Sequence, residues 1–136
     1  MKKFGMTQSR RKFLSLISFL SMGLIADAAP AKKKPQLVHH VFFWLKEPTS
    51  TADLNKLIQG VKALGKIPQV KKIHVAVPAS TEKRDVVDNS YSVSELLFFN
   101  SIEDEKIYQD HPLHQKFIQE HSMLWNKVVV YDSMEV

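Results

Sequence analysis

Residues Leu37–Lys46 read "LVHHVFFWLK", and the fold follows from what such a segment needs around it. β-Branched and aromatic side chains dominate it, which predicts a strand. Alternate residues of a strand point to opposite faces, so Val38, His40, Phe42 and Trp44 share one face. His39, Val41, Phe43 and Leu45 share the other. Both faces are largely apolar, so both require cover. His39 and His40 are neighbours, and a slip of one residue exchanges their faces.

Outward from this strand the chain alternates between periods. "EPTST" after Lys46 breaks the pairing at Pro48 and offers Ser50 or Thr51 as a helix cap. From Thr51 to about Lys66, Leu54, Leu57, Ile58, Val61 and Leu64 recur at the spacing of one buried helix face. Gly65 and Pro68 end that helix. "QVKKIHVAVP" (Gln69–Pro78) alternates Ile73, Val75 and Val77 against Lys72, His74 and Ala76 and predicts a second strand. Ala79–Tyr91 is a polar connection. "SVSELLFFN" (Ser92–Asn100) predicts a third strand. Ser101 with Asp104 resembles a capping box that opens a helix carrying Tyr108. Pro112 permits a kink or a new first turn, and a further helix is expected to about Asn126, its stripe including Leu113, Phe117, His121 and Leu124. "KVVVYDSMEV" predicts the fourth strand.

The order is β-α-β-β-α-β, an α+β ferredoxin-like plan. Two helices cover one sheet face; a chain of this length leaves the other bare. An apolar sheet face does not remain in water. Two such sheets placed face to face satisfy both, so a homodimer with a closed, barrel-like interior is expected.

The 136 residues suffice for one ordinary domain. The first stretch, "MKKFGMTQSRRKFLSLISFLSMGLIADAAPA", has basic residues, then an apolar run of about 14 residues from Phe13 to Ala26, then small residues at Ala28 and Ala29. That is the layout of an export signal over residues 1–29, too short for a permanent membrane span. "SRRKFL" (Ser9–Leu14) resembles the twin-arginine signal, a receptor-read address. A basic linker over 30–36 containing Lys32–Lys34 and a domain over 37–136 follow. The expected location is periplasmic, with no stable membrane insertion after cleavage. Five basic residues against Asp27 hold four of the five net positive charges, so the remainder is near +1. The basic pI therefore belongs to the leader, and no nucleic-acid partner is expected. There are no cysteines, which excludes thiol chemistry and disulfide staples.

The chemistry-bearing stretch is "KIYQDHPLHQKF" (Lys106–Phe117), with Tyr108, His111 and His114. Histidine has the side chain best suited to proton transfer near neutral pH. Structural readings compete: His111 before Pro112 suits a helix cap, Tyr108 and His114 can pack a helix end, and His74 and His121 read as structural. His111 and His114, three apart, supply two metal ligands where zinc takes three or four. No metal is expected, and no haem ligand is specified, so no cofactor is expected.

Strand one with its histidine, "DNSYSVSELLFFNS", "YQDHPLHQKF" and "VVVYD" resemble the stress-responsive α/β-barrel (Dabb) family over about Leu37–Met134. The Tyr-x-x-His-Pro-x-His motif is the most specific part. The resemblance implies a dimeric α/β barrel of ferredoxin-like halves. One plant relative is a polyketide cyclase that closes a ring by aldol chemistry without metal or cofactor. Its working residues carry over to His40, Tyr108 and His114 as catalytic candidates. Phe42, Trp44 and His111 are expected to line the ligand space. The expected partners are a second copy and an unidentified small molecule. Three readings remain: a binder of a small apolar molecule without turnover; a cofactor-free lyase, cyclase or isomerase using His and Tyr; and a haem- or metal-dependent oxidative enzyme.

Overall fold

In the computed structural model, residues 36–136 are described; the expected export signal at 1–29 and nearly all of the expected linker at 30–36 lie outside them. The elements are β1 (Leu37–Leu45), α1 (Thr51–Leu64), β2 (Lys72–Ala76), β3 (Val93–Phe99), α2 (Ile102–Asp110), α3 (Pro112–His121) and β4 (Trp125–Met134), with a 3₁₀ turn at Ser122–Leu124. All pairings are antiparallel, and the sheet order is β2-β3-β1-β4. This is the ferredoxin-like α+β plan, with its second helix broken into α2 and α3.

Local chemistry sets the boundaries. Ser50 Oγ accepts from the Asp53 N–H at 3.2 Å and opens α1. Ser101 Oγ accepts from the Asp104 N–H at 3.1 Å and opens α2. Each supplies an acceptor for a backbone donor that the first helical turn leaves unpaired.

Two expected boundaries move. The last helix stops at His121 rather than near Asn126, and Trp125 begins β4. The reason is tertiary: the Lys46 N–H donates to the Leu124 carbonyl at 2.9 Å, tying the chain to the end of β1. The Trp125 ring then lies against Phe43 and Phe117, with centroids at 5.1 and 5.7 Å. β2 is also shorter than Gln69–Pro78, because Val70 is held in a turn by the Ile67 carbonyl.

The core lies between the sheet and the helices. Leu37, Val41, Phe43 and Leu45 of β1 meet Leu57, Val61 and Leu64 of α1 and Phe117 of α3, all buried. Each fully buried side chain of this size contributes about 1.5–3 kcal/mol. α1 approaches α3 closely at Gly60: a Cβ there would stand 2.5 Å from His121 Nε2. His121 lies in this contact, stacked on Phe117 with its Nδ1–H donating to the Phe117 carbonyl at 3.0 Å. The opposite sheet face carries Val38, His40, Phe42 and Trp44 of β1, each half-buried in the single chain.

Candidate functional site

β1 lies between β3 and β4, so its inward side chains look into the space beneath α3. A cavity of about 290 Å³ opens there, walled by His39, Val41 and Phe43 of β1, Glu95 of β3, Gln109, His114, Phe117 and Ile118 of the helices, and Trp125, Val128 and Val130 of β4. It is an apolar space with a few convergent polar groups, the usual composition of a small-molecule pocket.

The Tyr-x-x-His-Pro-x-His motif builds one wall. Tyr108 closes the last full turn of α2. His111 ends α2 and caps α3, its Nδ1 accepting from the Leu113 N–H at 3.1 Å, and Pro112 takes the first helical position. Residues six apart in an unbroken helix point about 240° from one another. The break removes that constraint, and His114 folds back until its ring centroid is 4.6 Å from that of Tyr108. The His114 Nδ1 lies 3.1 Å from the Gln109 carbonyl. A carbonyl only accepts, so Nδ1 carries the hydrogen and the neutral ring keeps its lone pair on Nε2. Burial lowers the pKa of His114 below 6.5, against the opposing pull of that carbonyl. His114 is thus a neutral imidazole with a basic Nε2 at pH 7.

His39 forms the facing wall. It is 5% exposed and pairs across the sheet with Leu97 and Asp132. Its Nδ1 lies 2.6 Å from Asp132 Oδ1. A carboxylate accepts, so this ring too has its hydrogen fixed on Nδ1 and its Nε2 left over. Tyr108 stands behind both imidazoles, its centroid 6.0 Å from that of His39. It is fully buried, and its hydroxyl has no hydrogen-bond partner in the structure. Burial raises its pKa, with the negative charges of Glu95 and Glu105 adding to the effect, so it stays a hydroxyl.

Glu95 completes the wall. It is 2% exposed, and burial lifts its pKa from 4.5 to about 8. A carboxyl so placed is mostly protonated at pH 7 and donates rather than accepts.

The expected site residues divide. Tyr108 and His114 come together. His40 does not join them: it lies on the opposite face of the sheet, and His39 takes the inward place. The strand's period is the cause. Leu37, Val41, Phe43 and Leu45 are the core side of β1, and His39 is in phase with them. His40 instead lies 4.2 Å from the Phe42 ring, in register with Leu96 and Tyr131. Its pKa is lowered, first by burial and then by His74 and His39. Phe42 and Trp44 share its face and do not wall the cavity. Phe42 packs edge-on to Tyr91 at 4.9 Å. Trp44 donates to Ser90 Oγ at 3.0 Å, and the Lys127 ammonium stands 4.3 Å from its ring centroid. His111 is a cap between helices, with Nδ1 engaged.

Sequence reasoning passed over His39 as a site residue, and Glu95, Asp132 and Gln109 altogether. Two of these carry a sequence signal. Glu95 interrupts the inward series Val93, Leu97, Phe99, and Asp132 follows Val128 and Val130 in phase; a carboxylate at an inward period-2 position is the mark of a built site. Among the described residues no three His, Asp or Glu side chains are grouped as a metal site would require.

Comparison with solved structures finds the same fold in a hydroxynitrile lyase from Passiflora edulis, at 20% identity and a TM-score of 0.64 over 74% of this chain and 94% of that one. A Dabb family protein with a ferredoxin-like fold from Mesorhizobium loti matches at 20% identity and 0.61, over 75% and 98% of the two chains. A dimeric ferredoxin-like protein from Thermobifida fusca matches at 15% and 0.59, over 74% and 92%. No curated protein matches the sequence. The model of the stress responsive A/B barrel domain matches residues 37–135, nearly the whole described chain, and the protein therefore belongs to the Dabb family.

Proposed function

We propose that this protein is a cofactor-free acid–base catalyst of the lyase, cyclase or isomerase type, acting on a small, largely apolar carbonyl compound or its adduct. One observation carries the reading. His39 and His114 wall the same cavity, and each has Nδ1 tied to an acceptor, which leaves Nε2 of both rings as the basic nitrogen. Such a nitrogen removes a proton from a carbon beside a carbonyl, or from the hydroxyl of a carbonyl adduct whose carbon–carbon bond then opens. Charge develops on the substrate oxygen in the first case, and a hydrogen-bond donor on the cavity wall would offset it. Tyr108 acts behind the wall, holding the two imidazoles by its ring. The apolar lining from Val41, Phe43, Phe117 and Val130 selects a hydrophobic body. That a hydroxynitrile lyase shares the fold supports the lyase form of this reading.

The catalyst is proposed to be a homodimer. The open face with Val38, Phe42 and Trp44 needs cover, and structural relatives include dimeric proteins. It is proposed to be exported through the leader at residues 1–29 and to work in the periplasm. Cell fractionation and the mass of the recovered chain test that address: a cytoplasmic, uncut chain contradicts it.

The catalytic test is cleavage of an aromatic cyanohydrin and α-hydrogen exchange of an aryl ketone in deuterated buffer. Turnover above buffer is expected with one of them, falling about 10²–10⁴-fold in His39→Asn and His114→Asn. Binding of the same compounds without any turnover in the wild type would instead make the protein a carrier.

A further inference from the structure

Glu95 is unlike the other polar groups of the cavity, because the fold gives it nothing to do. Its neighbours in register are Val41 on β1 and Val75 on β2. Along β3 its inward companions are Val93, Leu97 and Phe99. Its Oε2 is buried and has no hydrogen-bond partner in the structure. Buried polar groups are ordinarily bonded, and leaving one unmade costs stability. A leucine would suit those aliphatic neighbours better. The titratable groups facing this region are His39 from β1 with Asp132 from β4, Tyr108 and Glu105 from α2 and His114 from α3; β2 presents Ile73 and Val75. None of these is bonded to Oε2.

We infer that Glu95 is a ligand-recognition residue: its carboxyl donates a hydrogen bond to a carbonyl oxygen of the molecule held in the cavity. The inference rests on the pocket reading above and narrows the ligand class to small aryl or alkyl carbonyl compounds. The volume fits, since about 290 Å³ is roughly twice the ~150 Å³ cavity known to admit benzene. The buried carboxyl, protonated at pH 7, is a donor where a carboxylate would repel a carbonyl. The same group supplies the donor that the proposed proton transfer needs at the substrate oxygen.

Three probes of nearly equal shape test this: toluene, benzyl alcohol and benzaldehyde, titrated into the dimer-competent full domain at pH 6 and followed by calorimetry and by the ring signals of His39 and His114. Wild type is expected to bind benzaldehyde about tenfold more tightly than toluene, the worth of one good hydrogen bond, with benzyl alcohol between them. Glu95→Leu is expected to bind the three within about twofold and to melt no lower than wild type. Glu95→Gln, which still donates, is expected to keep part of the preference. The wild-type preference should fade as pH rises through 8. An unchanged preference in Glu95→Leu, with both histidine signals still responding, would overturn the inference and leave the pocket standing. A folded Glu95→Leu that melts well below wild type would assign the carboxyl to structure and also overturn it. Failure of every probe to move either histidine would overturn the inference and the pocket reading together.

Discussion

His39 and His40 are adjacent in the chain and separated by the full thickness of the sheet. One faces α3, bonded to Asp132 and walling a cavity with His114; the other faces away, packed on Phe42 in register with Tyr131. The two faces of β1 therefore do different work from nearly the same residues. The inner face is covered by helices over β1 and β3, leaves Val128 and Val130 of β4 exposed, and gathers polar groups with fixed hydrogens. The outer face is broad, aromatic and open, suited to contact with a second sheet. What separates the cavity-facing histidine from the one on the open face here is the parity of its position, not its neighbours in sequence.

The largest expected effect breaks that comparison directly. His39→Asn should lower turnover by about 10²–10⁴-fold, whereas His40→Asn should leave it within about threefold; steady-state rates on whichever test compound is turned over decide. Equal losses from the two would remove the distinction between the faces. The next effect concerns their energetics. Phe43→Ala, in the buried face, should cost about 3–5 kcal/mol of stability in denaturant unfolding. Phe42→Asp, one residue earlier, should instead yield a folded monomer by light scattering.

A pH dependence sharpens the inner face further. The folded pKa of Glu95 is raised from 4.5 to about 8, so the native state holds a proton that the unfolded state releases above pH 4.5. Stability is therefore lost as pH rises from about 4.5 to about 8. Between pH 5 and pH 7 the loss is about 2–3 kcal/mol, and Glu95→Leu should abolish it; chemical denaturation at both pH values gives the difference. Gly60→Ala should cost about 1–3 kcal/mol, because its methyl must displace the His121 ring that seats α1 on α3. The smallest effect is that of His114. Its folded pKa lies below 6.5, so stability is present above that value and declines as pH falls toward the folded pKa, where the unfolded chain takes up the proton first. His114→Asn should flatten that acid limb.

The fold was legible because each element carries its own periodicity and punctuation. Ser50, Ser101 and Pro112 mark the starts of α1, α2 and α3, and the β-branched and aromatic runs mark the four strands. The open apolar face was legible from Val38, Phe42 and Trp44. The motif names Tyr108 and His114 together, but helical spacing does not bring them into contact. Their meeting depends on the break at His111, where periodicity stops informing. His39 and His40 could not be told apart by type, and only the phase of Leu37, Val41, Phe43 and Leu45 against the helices settles which one turns inward. The phase of Asp132 with Val128 and Val130 is local, but its bond to His39 is invisible to local reading, since the two lie 93 residues apart. Gln109 contributes a backbone carbonyl, which any residue could supply. The helix end was misplaced because the bond from Lys46 to Leu124, a long-range contact, overrides helical propensity there.

The most direct measurement is the set of histidine ring nitrogen and proton shifts, recorded by NMR with and without benzaldehyde. The inner-face site predicts that His39 and His114 both carry their hydrogen on Nδ1 and that their ring signals move on titration while those of His40 stay still. Movement of His40 with His39 and His114 unmoved would contradict it.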